Sequence, residues 1–185
     1  MAGDIRITDL AEPVLTELQQ SAIDYGETLE VDLTSQSILA DASAVTGLDD
    51  FGPEDFLPRL RLLCDEWSSD RELTGIGRLS LRNKLLQHAR SRLLIQDMLK
   101  RHPDIHDVQI RDPIIVAGLP RSGTTHLLNL MAADSRLRSL PLWESYEPVP
   151  LPGEPSPEGG LDPRYQRCKE QWQSMQQMTP CLLYT

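Results

Sequence analysis

The stretch Gly118-Leu119-Pro120-Arg121-Ser122-Gly123-Thr124-Thr125 gathers residue types that hold an anion with backbone as much as with side chains. Gly-x4-Gly followed by two further residues is the spacing of a phosphate loop. Successive N–H groups in such a loop point inward, and the helix that follows adds its positive end. Gly118 and Gly123 suit the positive φ and close backbone approach this requires. A nucleotide-hydrolysing loop carries a lysine in its last positions, to neutralise the β- and γ-phosphates. Here Thr124 takes that place and the cation moves upstream to Arg121, whose fork can grip phosphate or sulfate oxygens in pairs. A glycine-containing turn with an incidental arginine is the plain alternative. The joint run of apolar strand, Arg-Ser-Gly-Thr-Thr and apolar helix argues against it.

The flanking elements would hold this loop in place. Ile114-Ile115-Val116-Ala117 is short, apolar and β-branched, entered from Pro113 and closed by Gly118, and predicts a strand buried on both faces. Leu127, Leu128, Leu130 and Met131 give helical spacing over Thr125–Ala133. A second short strand is a candidate at Leu137–Leu140. Upstream, residues 11–45 predict helix in pieces, with Val14, Leu15 and Leu18 on one face and Ile38, Leu39, Ala42 and Val45 on another. Thr46–Pro53 reads as a turn. A helix with Phe56, Leu60, Leu63 and Trp67 on one side follows, stopped at Ser68–Asp70.

The strongest helical pattern runs from Ser80 to Arg101, with Leu81, Leu85, Ala89 and Leu93 spaced by four, a basic outer face and Pro103 as the stop. The prolines Pro141, Pro148, Pro150, Pro152, Pro155, Pro157 and Pro163 predict an extended linker over 141–163. Asp162-Pro163 then opens a last helix carrying Tyr165, Cys168, Trp172 and Met175 on one face, ended by Pro180. That face reads first as core and second as part of an acceptor pocket.

Charge narrows the partners. The chain of 185 residues has a formal charge of −10, but thirteen of its 28 acids and only one of its 18 bases lie in residues 1–55. The rest is close to neutral and can accept an anion, while the overall acidity excludes nucleic acid. No apolar run reaches the length of a membrane span, and Met1–Asp9 lacks the pattern of a secretory leader. Cys64, Cys168 and Cys181 give neither a disulfide framework nor a zinc motif, so a cytoplasmic setting is the expectation. His102 and His106 are four apart, but Pro103 between them breaks a metal-binding helix. His126 reads as a packing residue on the helix after the loop.

The segment IIVAGLPRSGTTHLLNLMAADSRLRSLPLWE resembles the 5′-phosphosulfate-binding segment of sulfotransferases that use 3′-phosphoadenosine 5′-phosphosulfate (PAPS), in their bacterial-type branch. LTSQSILADASAVTGLDDFGPEDF and LTGIGRLSLRNKLLQHARSRLLIQDMLKRHPDI resemble that branch's helical N-terminal region, so the likeness runs from about Leu33 to about Met178. The resemblance implies an α/β fold, the three-layer P-loop-containing nucleotide-binding architecture of sulfotransferases, preceded by a helical region. On this reading residues 1–111 are the mainly helical N-terminal region, and 112–185 begin the sulfotransferase domain with its loop at 118–125.

The resemblance further implies that Gly118, Arg121, Ser122, Gly123, Thr124 and Thr125 hold the donor's 5′-phosphosulfate. Arg121 would stabilise charge on the leaving phosphate, and a sulfuryl group would pass to an acceptor hydroxyl or amine on a small molecule without a metal. Glu144, in the Trp143-Glu144 pair, is the candidate base, with Glu147 as its substitute and an exposed loop carboxylate as the competing reading. The family's pattern, including its 3′-phosphate-binding residues, continues beyond residue 185, so the chain reads as a truncated sulfotransferase. Its lone strand would leave unpaired edges through which copies could associate. Two other readings stay open: a non-catalytic module dependent on a partner, and a P-loop kinase or ATPase.

Overall fold

The computed structural model describes residues 14–154 and 161–179. Seven α-helices lie among them: α1 Glu17–Glu27, α2 Ser35–Thr46, α3 Leu57–Ser69, α4 Gly75–Arg101, α5 Thr124–Ala132, α6 Leu142–Tyr146 and α7 Pro163–Met178. Short 3-10 turns at Glu54–Phe56 and Pro103–Asp107 complete the regular structure.

The organising element is α4. Its 27 residues span about 40 Å at 1.5 Å per residue. It begins earlier than the Ser80 start expected from periodicity, because the Thr74 hydroxyl accepts from the Gly77 N–H and caps the first turn. Leu85, Ala89 and Leu93 form its buried stripe, clustered with Ile38 and Ala42 of α2 and Leu60 and Cys64 of α3, while Leu94 is buried toward Val149 and Leu151. Opposed small residues, Ala42 and Ala89, leave room for the larger side chains to interdigitate. Two assigned faces differ from expectation. Cys64 rather than Leu63 is α3's inward residue, and Val14, Leu15 and Leu18 stay exposed, the first two lying ahead of α1.

At its N-terminal end α4 meets the end of α1 backbone to backbone. A methyl group added at Gly26 would collide with the Ile76 amide, and one at Gly75 with the Gly26 carbonyl. Glu27 Oε1 accepts from the Gly75 N–H at 3.1 Å across the same seam. The turn at Thr46–Pro53 forms as expected: Gly47 caps α2 at φ 69° and Gly52 follows at φ 70°.

The α/β expectation is corrected. Among the described residues there is no strand and no sheet. Ile114–Ala117 runs extended without a ladder, and Ile114 and Ile115 are 62% and 82% exposed. Leu137–Leu140 is likewise irregular. The reason is cooperative: a β-branched run supplies one side of a ladder, and no described segment supplies the other.

The proline-rich stretch is corrected too, since α6 forms inside it from Pro141, which takes the N-cap position. Asp162 caps α7 as expected, its Oδ1 accepting from the Arg164 N–H at 2.9 Å. Residues 1–13, 155–160 and 180–185, which hold Pro155, Pro157, Pro180 and Cys181, lie outside the described residues.

Candidate functional site

The loop is built from two left-handed residues around a tight turn. Pro120 presets its own φ, Arg121 follows at φ 67°, and the Ser122 N–H donates to the Leu119 carbonyl at 3.2 Å. Gly123, at φ 87° and ψ 13°, then turns the chain into α5. Arg121 stands where glycine or asparagine is favoured, a conformation that costs of order 1–3 kcal/mol for other residues and tends to persist at functional sites. The spacing expects positive φ at Gly118 and Gly123; it is found at Gly123 and Arg121 and not at Gly118, and Pro-Arg at the centre of the turn is the available signal.

Gly118 lies under this turn. A Cβ at that position would sit 2.6 Å from Ser122 Oγ and 2.9 Å from Thr124 Cγ2, so the loop folds back onto a place only glycine leaves open. Gly123 has no side chain to cap α5, and the first N–H groups of that helix are left to whatever lies before them. Thr124 is half-buried; Arg121, Ser122 and Thr125 are exposed. Arg121 makes no ion pair among the described residues. Gly118, Arg121, Ser122, Gly123, Thr124 and Thr125 are thus brought together as one cradle. Its donor set, amides at a helix start with one guanidinium, fits a singly or doubly charged oxyanion. His126 is exposed on α5 instead of packed.

Glu144 lies on α6. It is neither an exposed loop carboxylate nor bonded to the cradle: its Oε2 accepts from Arg138 Nη2 at 2.6 Å, and its side chain is 21% exposed. Beside it, Arg164 of α7 stacks over the Trp143 ring, 4.7 Å from the centroid, and donates to the Glu147 carbonyl at 3.0 Å. Arg167 Nε donates to both Glu147 oxygens at 3.0 and 3.1 Å and its guanidinium also pairs with Glu154. These two arginines, which sequence reading passed over, fix α6 against α7. Their spacing of three on the first turns of a helix was the signal.

The charges respond accordingly. Hydrogen bonds from Arg167 hold Glu154 below the usual carboxylate range, and those from Arg164 do the same for Asp162. Glu147 in turn raises Arg167. Glu147 is thus tied to α7 through Arg167, as Glu144 is paired with Arg138. Among the described residues no three His, Cys, Asp or Glu side chains gather as a metal site, and no helix is long and apolar enough to cross a membrane.

Comparison with known proteins gives a match over the part of the chain that contains the loop. The sequence model of the sulfotransferase family matches residues 113–182. No curated protein matches the sequence. Among solved structures, the sulfotransferase STF1 of Mycobacterium tuberculosis H37Rv is similar at 32% identity and a TM-score of 0.67, over 82% of this chain and 42% of that one. STF9, a sulfotransferase of Mycobacterium avium, is similar at 25% identity and a TM-score of 0.65, over 77% of this chain and 36% of that one. The chain thus spans less than half the length of either.

Proposed function

From the chain's membership of the bacterial-type sulfotransferase family, we propose that it serves sulfuryl transfer from PAPS to a hydroxyl or amine of a small-molecule acceptor. The observation that carries this reading is the cradle, in which Gly118 lies beneath Ser122 while left-handed Gly123 opens α5. Bound PAPS would supply the sulfuryl group, transferred in line as the acceptor–sulfur bond forms and the bond from sulfur to the 5′-phosphate oxygen breaks.

Each residue has a task in this reading. The amides at the start of α5 and the Thr124 and Thr125 hydroxyls hold the 5′-phosphosulfate oxygens. Arg121 faces the charge that gathers on the departing phosphate, where a guanidinium stabilises most. Glu144 takes the acceptor proton, and Arg138 orients its carboxylate. The turn strain at Arg121 supports its role, since nothing in the packing around this exposed side chain requires an arginine.

The test is calorimetric binding of adenosine 3′,5′-bisphosphate to the whole chain and to Arg121→Ala. Loss of a charge-assisted bond of about 1.5–3 kcal/mol should weaken binding by roughly ten- to a hundredfold. Equal affinity of the two proteins would remove Arg121 from the site.

One observation favours a second reading. Ile114, Ile115, Leu119 and Leu130 are 62%, 82%, 80% and 59% exposed, an apolar strip around the loop of the kind that partners cover. On this reading the chain is a module that associates with another polypeptide, or with its own copies, through the extended run. Size-exclusion chromatography with light scattering separates the two: a concentration-independent monomer opposes association.

A further inference from the structure

A groove of ≈630 Å³ separates α4 from α6 and α7, within the size range of small-molecule pockets. One wall is apolar and aromatic: Leu142 and Tyr146 of α6, Trp172 and Met175 of α7. The other is cationic, with Lys84 and Arg90 of α4. Neither cation has an ion-pair partner among the described residues, whereas Arg82 and Arg92 on the same helix are paired. Arg90 Nε is buried without any hydrogen-bond partner, the single such side-chain atom among the described residues. Buried guanidinium N–H groups ordinarily find an acceptor; this one is closed to solvent, so the groove meets Arg90 through the rest of its guanidinium.

Two groups at the groove could oppose an anion: one is ion-paired and the other is uncharged. The Glu147 carboxylate is held by Arg167. Cys168 stays a thiol, because burial and then the Glu147 charge push its pKa up. The floor of the groove is set by Gln87, whose Nε2 donates to the Tyr146 carbonyl at 3.1 Å.

We propose that this groove binds an amphipathic anion, its apolar or aromatic body against Trp172, Met175, Tyr146 and Leu142 and its anionic group against Arg90 and Lys84. Charge complementarity selects this occupant over a neutral lipid or an apolar helix: two unpaired cations beside an aromatic wall fit an acid with a ring or chain. α6 presents Leu142 and Tyr146 to the groove, while Glu144, two residues along the helix, is not part of its lining. The binding claim does not rest on the sulfotransferase reading.

The test titrates the whole chain with 2-naphthoate and with 2-naphthalenemethanol, an uncharged molecule of the same ring system, following tryptophan fluorescence and calorimetry. Naphthoate should bind saturably and at least tenfold more tightly than the alcohol. Arg90→Met should remove that preference, Arg90→Lys should restore much of it, and Trp172→Ala should weaken both ligands. Circular dichroism of each variant should match the parent. Arg121→Ala should leave naphthoate binding unchanged. Equal affinity for the two ligands, or naphthoate binding unaffected in Arg90→Met, overturns the site. If naphthoate binds through Arg90 while adenosine 3′,5′-bisphosphate does not bind, the groove stands and the donor reading fails; the reverse result fails the groove alone.

Discussion

At the residue scale the loop is a set of steric decisions. Gly118 is exposed, so ordinary burial gives no reason for glycine there; the reason is the Ser122 side chain above it. Gly118→Ala would push Ser122 and Thr124 outward and spoil the cradle while leaving the helical core untouched. Adenosine 3′,5′-bisphosphate affinity should fall on the order of tenfold in that variant, an energy of about 1.4 kcal/mol, with an unchanged urea midpoint. Gly47→Ala gives the contrast. Nothing lies within 4 Å of a Cβ at Gly47, but its φ of 69° disfavours one. That variant should lose about 1 kcal/mol of stability and bind the bisphosphate normally. If both glycine variants bind as the parent does, the loop is a turn and nothing more. The glycine spacing was legible in the sequence, as was the place of the cation. What the spacing could not express was that Arg121 carries the strain.

Among elements, the contact of α1 with α4 depends on an absence of side chains. Gly26 and Gly75 bring two helix ends into backbone contact, which explains why α4 begins with Gly75, a residue poor at helix formation; a Cβ at Gly77 would instead crowd its own cap, Thr74. Periodicity alone placed the start at Ser80, because glycines weaken a helical reading and the contact that favours them is 48 residues away along the chain. Gly26→Ala should force the helices apart and lower stability by about 1–3 kcal/mol, the usual range for overpacking. Val45→Ala, on the exposed side of α2, should stay within about 0.5 kcal/mol. Urea unfolding read by circular dichroism at 222 nm measures both. Comparable losses in the two variants would mean that the seam has slack. The same logic governs α6. Its five residues sit in a run of prolines that reads as linker, and they are held from outside by Arg164 and Arg167.

Over the whole molecule, the uneven charge of the sequence becomes an assembly rule. The acids of the first 55 residues meet the bases of α4: Asp41 pairs with Arg82, Asp50 with Lys100 and Asp55 with Arg92. Arg92 also stacks 4.2 Å from the Phe56 ring centroid and donates to the Phe51 carbonyl at 2.6 Å. The face of α4 that periodicity marks as solvated is therefore in part a clamp, and charge counting sees the two halves without seeing that they match. The strand was misread for a related reason, since a ladder belongs to two segments and a sequence pattern to one.

Hydrogen-bonded carboxylates, Asp50 of the clamp among them, set a pH window. Asp50 is held below the usual carboxylate range by Lys100 and the Gly52 amide, Asp32 by Thr34, Glu154 by Arg167 and Asp162 by Arg164. A carboxylate whose pKa is lower folded than unfolded adds stability above the unfolded value, and loses it as pH falls through the folded one. Lys100 is raised by Asp50, so its share is present below the unfolded lysine value and disappears as pH rises past it. Urea midpoints should accordingly be level from about pH 5 to about pH 9, fall below about pH 4, and fall again above about pH 10. Relief of the −10 net charge on acidification pulls the other way, but it is shared over many screened, exposed groups, while each pair is lost outright. A midpoint at pH 3 equal to or above that at pH 7 would show that repulsion outweighs pairing.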